Sequence, residues 1–176
     1  MELGLIHIYC GDGKGKTTAA MGLGMRAVGR QKKVLLTQFL KDNETGELNS
    51  IDKLGNDFEV FKGASVKKFF KFMSEEEQIE TKREHEERFF KVTKKAAEEN
   101  FDLLILDEVI ASTNLDLIPL SEVINFLENK PKGLEVVLTG RNPNEKLVEL
   151  ADYVSEIKAV KHPYEKGIGS RIGIEK

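Results

Sequence analysis

Cysteine occurs once in the 176-residue sequence, at Cys10, which excludes an intramolecular disulfide and leads us to expect a cytoplasmic setting. The three histidines, His7, His85 and His162, are far apart and have no cysteine partners, which argues against a dedicated zinc site. No apolar run approaches the ~20 residues of a membrane-spanning helix. No signal peptide precedes the first apolar segment, so a membrane is not an expected partner. The formal net charge is only −3, which gives no electrostatic footprint for nucleic acid. Internal repeats and low-complexity tracts are absent as well. What remains is an ordinary globular composition, 40% hydrophobic and 32% charged, at a length that fits one domain over 1–176.

The chain is organised around residues 3–18, LGLIHIYCGDGKGKTT. An apolar run over 3–9 stops at Gly11-Asp12-Gly13-Lys14-Gly15, and Lys16, Thr17 and Thr18 open a stretch of helical character over 16–29. Strand, glycine loop, Lys-Thr and helix together make a P-loop. Glycines lack Cβ, so consecutive N–H groups can turn inward as an anion cradle, and the helix points its positive end at the same spot. Lys16 would reach phosphate oxygens and the Thr17 hydroxyl would ligate Mg²⁺. The loop is one residue short, because the usual spacing would need glycine where Cys10 stands. Cys10 itself, at the end of a buried strand, reads as a small apolar filler.

Further along, residues 34–40 read as a second strand, 41–57 as a polar segment with a short helix near Ile51, and 58–61 as a short strand. The segment 63–73 gathers Phe69, Phe70, Phe72 and Met73 beside Lys67, Lys68 and Lys71. Ser74 and Glu77 form a capping box that opens a charged helix to about Asn100, with Ile79, Phe89, Phe90 and Ala97 expected on its buried side. Strands are expected over 101–107, 134–138 and 153–160, and helices over 120–129, capped by Ser121 or the preceding loop, and over 144–151. Strands that alternate with helices, with nearly continuous apolar runs, imply a mainly parallel sheet covered on both faces. Right-handed crossovers then bring the P-loop and the ends of the later strands to one edge.

LLILDE delivers Asp107 and Glu108 to that edge in the Walker B pattern. Adjacent acids point different ways, so one can hold Mg²⁺ while the other supports the strand end or positions a ligand. Thr139-Gly140-Arg141 ends another strand there, and Arg141 could fork onto a phosphate. These residues alone leave open a transferase, an Mg-ATP hydrolase or small-molecule kinase, and an ATP-gated binding module.

GDGKGKTTAAMGLGMRAVG, the LDE strand end and LTGRNPNEKLVELADYVSEIKAVKHPYEKGIGSRIGIE together resemble the P-loop ATP:corrinoid adenosyltransferases over nearly the whole chain, residues 41–75 matching only loosely. The resemblance implies an α/β, single-domain, P-loop NTPase-like (RecA-like) three-layer fold with a mainly parallel sheet. It implies that a corrinoid reduced to Co(I) attacks C5′ of ATP and expels triphosphate, with the nucleotide reversed relative to ordinary P-loop enzymes. By motif position, Gly11, Asp12, Gly13, Lys14, Gly15, Lys16, Thr17 and Thr18 wrap the triphosphate, and Thr17 and Glu108 ligate Mg²⁺ or Mn²⁺. Arg26 and Arg141 become nucleotide contacts, and Asp107 a support. Lys16, Thr17 and Glu108 are the expected catalytic set. Family members place a Phe-x-Trp pair under the corrinoid; this chain has no tryptophan, and the best register puts Phe70 and Phe72 there. A homodimer and a flavoprotein electron donor are also implied. The N-terminal extension that covers the corrinoid site in many members has no counterpart, so that cover is expected from elsewhere or not at all.

Overall fold

Parallel pairing joins every strand of the computed structural model, which describes residues 3–42, 44–66, 68 and 70–175. Lys67 and Phe69 of the lysine–phenylalanine segment lie outside the described residues. Strands β1 (Ile6–Cys10), β2 (Val34–Gln38), β3 (Phe58–Val60), β4 (Leu103–Asp107), β5 (Glu135–Thr139) and β6 (Tyr153–Glu156) form one sheet in the order β3-β2-β4-β5-β1-β6. The helices are α1 (Lys16–Val28), α2 (Gly46–Ile51), α3 (Glu75–Glu98), α4 (Val109–Asn114), α5 (Leu120–Asn129) and α6 (Glu145–Leu150). Two short 3₁₀ turns cover Phe70–Phe72 and Pro163–Lys166.

The period-two alternation of a strand divides each apolar run between two cores. Val34, Leu36 and Ile105 pack under α1 and α2 with Ala20, Met21, Ile51 and Phe58. Leu35, Leu104, Leu106 and Leu138 pack on the other face with Phe89, Val92, Ile110, Val123 and Leu147 from α3 to α6. The result is a three-layer α/β fold of P-loop type, its central strands β2 and β4 buried at every position. Cys10 is buried in the second of these cores, as a filler should be.

The capping box at the start of α3 is present, with Glu77 N–H donating to Ser74 Oγ (3.3 Å) and Ser74 N–H to Glu77 Oε2 (2.6 Å). The buried face of α3 differs from expectation. Of Ile79, Phe89, Phe90 and Ala97, only Phe89 is buried; Ile79 and Phe90 are 70% and 67% exposed. The buried stripe is His85, Arg88, Phe89, Val92, Thr93 and Ala96, spaced by three and four residues. Helical phase decides here, and polar residues enter the stripe because they find partners: Thr93 Oγ1 donates to Phe89 O and Arg88 to Gln38 O. Phe90 and Ala97 instead line a groove between α3 and α5.

Other boundaries shift for backbone reasons. The second strand stops at Gln38 rather than residue 40, because Leu40 adopts φ 56°. Helix α4, absent from the sequence reading, begins at once after Glu108. Pro119 of the preceding loop occupies the N-cap position of α5, with no side-chain cap, and Ser121 lies inside the helix. The last strand ends at Glu156 instead of 160, as an exposed edge, and the chain then turns to run beside the glycine loop.

Candidate active site

All strands run parallel, so their carboxyl ends share one edge, and a cavity of about 610 Å³ opens there. One wall is the glycine loop between β1 and α1, contributing residues 12–18. Gly15 caps α1 at φ 117°, a conformation that side chains disfavour. Gly13 is needed for a different reason: its N–H donates to Ile157 O (2.8 Å), and a Cβ there would stand 2.8 Å from that same oxygen. The Asp12 carboxylate accepts from Ala159 N–H (3.1 Å), which holds its pKa below the usual value. The segment after β6 therefore braces the short loop from outside.

Lys16 is buried, and Nζ donates to Gly13 O (2.9 Å). Burial lowers its pKa, with the nearby Glu108 charge opposing that shift. Thr17 Oγ1 donates to Asp107 Oδ1 (2.9 Å). Asp107 is fully buried and accepts also from Thr139 Oγ1 (2.6 Å), Gln38 Nε2 (3.0 Å) and Lys41 Nζ (2.6 Å). It ties the ends of β2, β4 and β5 to the first turn of α1. Glu108 follows at φ 61°, a left-handed backbone that turns its side chain into the cavity wall, with its N–H held by Thr139 Oγ1 (2.9 Å). Burial raises the Glu108 pKa, and the adjacent Asp107 charge raises it further.

Thr17 and Glu108, both on the cavity wall, offer a hard cation one hydroxyl and one carboxylate, while buried Asp107 is taken up by its four donors. No group of three or more acidic, histidine or cysteine side chains able to hold a metal exists among the described residues. Such a donor set suits Mg²⁺, which keeps several waters and takes further ligands from phosphate oxygens.

Arg141 lines the cavity beyond β5, its carbonyl fixed by Asn114 Nδ2 (2.9 Å). Arg26 is not brought to the cavity; it sits exposed in the last turn of α1. The pair Phe70 and Phe72 is split. An extended segment would point both the same way, but they lie in a 3₁₀ turn, so Phe70 lines the cavity while Phe72 is 63% exposed under the Lys71 ammonium, 4.7 Å from its ring centre. Several lining residues escaped the sequence reading. Lys41 and Asp42 come from the start of the polar segment 41–57, Val66 from the lysine–phenylalanine segment 63–73, and His162, Ile174 and Glu175 from the tail. For Lys41 the available signal was its place just beyond a buried strand on the edge that carries the P-loop.

The family model described as ATP:corrinoid adenosyltransferase BtuR/CobO/CobP matches residues 2–175. The corrinoid adenosyltransferase of Escherichia coli (strain K12) is 35% identical over 180 residues, covering 99% of this chain and 86% of that protein. Corrinoid adenosyltransferase CobA of Salmonella typhimurium is 34% identical, with the same coverage. The corrinoid adenosyltransferase of Pseudomonas aeruginosa is 28% identical over 99% of this chain and 84% of its own length.

Proposed function

From the premise that this chain belongs to the ATP:corrinoid adenosyltransferase family, we propose that it transfers the 5′-deoxyadenosyl group of ATP to the cobalt of a Co(I) corrinoid and releases intact triphosphate. The observation that carries the reading is the convergence of the glycine loop, Lys16, Thr17, Glu108 and Arg141 on one cavity. In this reaction the substrate cobalt is the nucleophile. A bond forms from cobalt to C5′, the C5′–O bond breaks, and the electron pair leaves with the triphosphate. The protein needs no general base; it must align C5′ and receive the charge of the leaving group.

The residues divide that work. The glycine loop and first turn of α1, residues 11–18, hold the triphosphate through backbone N–H groups other than that of Gly13, which is bonded to Ile157 O, and Lys16 exchanges its bond to Gly13 O for a phosphate oxygen. Thr17 and Glu108 hold Mg²⁺, or Mn²⁺ in its place, with Asp107 orienting the Thr17 hydroxyl. The cation, when bound, neutralises part of the triphosphate charge. Arg141 contacts the nucleotide, whereas Arg26, outside the cavity, is left without that role. Phe70 and the turn around it form part of the corrinoid surface. We extend the proposal to a homodimer working in the cytoplasm with a flavoprotein electron donor, on the family resemblance alone.

The test is to incubate protein, ATP, Mg²⁺ and chemically reduced corrinoid and to identify both products. Adenosylated corrinoid and intact triphosphate are expected, with Lys16→Ala slowing turnover by roughly a hundredfold or more. Stoichiometric ADP and phosphate would move the protein to the hydrolase or kinase class.

A further inference from the structure

Lys41 has no assigned role, yet its ammonium sits at the centre of the site. Nζ lies 2.6 Å from Asp107 Oδ2 and 3.2 Å from Thr17 Oγ1, the hydroxyl read above as a metal ligand. Thr17 donates its proton to Asp107 and accepts from Lys41, so the ammonium takes one of the two hydroxyl lone pairs and sets a positive charge beside the other, where a cation would bind. The placement is built in. Leu40 turns the chain at φ 56° directly before it, Lys41 O accepts from Val66 N–H (3.0 Å), and the strand end is held by Arg88 on Gln38 O (2.8 Å). Asp107 already has three uncharged donors in Thr17, Gln38 and Thr139, so Lys41 is not required to satisfy its hydrogen bonds.

We propose that Lys41 is a positioning residue that reserves the metal site for the metal–nucleotide complex. A free divalent cation on Thr17 Oγ1 must crowd or displace the ammonium against repulsion between like charges. A cation arriving with triphosphate brings phosphate oxygens within reach of the same flexible side chain. Nζ then moves from Asp107 to a phosphate oxygen, so both positive charges keep an anionic partner. The site is thereby biased against the bare ion and toward the loaded nucleotide. This inference rests on the reading of Thr17 as a metal ligand.

The test uses the full chain and two titrations by calorimetry, Mn²⁺ alone and Mn²⁺ with tripolyphosphate, on wild type, Lys41→Met and Lys41→Arg. Lys41→Met should bind free Mn²⁺ about tenfold more tightly and Mn²⁺–tripolyphosphate about tenfold more weakly. Lys41→Arg, which keeps the charge, should stay close to wild type for free Mn²⁺ and serves if the methionine variant does not fold. Two affinities of Lys41→Met that move together, or do not move, overturn the inference, as does tighter free-Mn²⁺ binding by Lys41→Arg. A purely structural Lys41 would lower the melting temperature and leave the two affinities in their wild-type ratio. If wild type binds no Mn²⁺–tripolyphosphate, the fault lies instead with the assignment of the triphosphate site.

Discussion

Glu108 is held in a left-handed conformation, which a non-glycine residue adopts at some energetic cost, and its carboxyl is half-buried beside that of Asp107. Both features place an anion where the isolated protein gains nothing from it. Burial and then the Asp107 charge raise the Glu108 pKa, so the folded chain holds this proton more tightly than the unfolded chain. Folding then loses stability as pH rises from the ordinary carboxylate range through the raised value, and at neutral pH the charge is destabilising. Glu108→Gln keeps the shape and removes the charge. It should raise the melting temperature of the nucleotide-free protein at pH 7, and it should raise the Mg²⁺ concentration for half-maximal adenosylation by about tenfold or more. Thermal melts and an Mg²⁺ titration check the two halves; a lower melting temperature would contradict the electrostatic account.

The 3₁₀ turn Phe70–Phe72 alters how its two aromatics can act. A core role for Phe72 would make Phe72→Ala lose ~3–5 kcal/mol. With its ring 63% exposed, the expected stability change is small, and the melting temperature should hold within a degree or two. Phe70, which lines the cavity, is the better placed of the pair to meet a ligand directly. If the turn lies under the corrinoid, Phe72→Ala should impair adenosylation when Co(II) corrinoid is supplied with a reducing system, and much less when Co(I) is supplied ready-made. Equal loss in both assays would remove the turn from the reduction step. The glycine loop is an element of the opposite kind, because its shape depends on Ile157 and Ala159 of the chain after β6 as much as on its own glycines.

Across the whole molecule, the Arg88–Glu84 pair within α3 ties that helix to the sheet and to the loop that walls the cavity through hydrogen bonds to Gln38 and Ala64. Arg88 donates to Gln38 O (2.8 Å), to Ala64 O (2.9 Å) and to Glu84 (2.7 Å). Burial alone would raise the Glu84 pKa, but hydrogen bonds from His85, Arg88 and the Ala64 N–H outweigh it and bring it down to about 2. A depressed carboxyl stabilises the fold above its unfolded pKa, and that stability is lost as pH falls through the folded value. The window therefore runs from about 4.5 down to about 2. Glu84→Gln should lower the urea midpoint clearly at pH 7 and much less at pH 3, where wild type has begun to lose the same interaction. A difference independent of pH would assign the loss to packing.

The sequence by itself determined the features that consecutive residues carry. Glycines and Lys-Thr between an apolar run and a helix make a P-loop because the needed N–H groups and backbone conformations are local. Ser74 and Glu77 cap α3 for the same reason, and LLILDE delivers its acids to a strand end whatever lies beside it. Tertiary structure alone decided which distant residues meet. Lys41 reaches Asp107 because β2 lies next to β4, and Asp12 reaches Ala159 because β6 lies next to β1. Neither contact follows from spacing along the chain. The phase of α3 was likewise settled by what the sheet accepts, which buries Arg88 and leaves Phe90 outside. Local steric and hydrogen-bonding preferences are written in short segments; strand order and helix phase are set by burial summed over the whole fold.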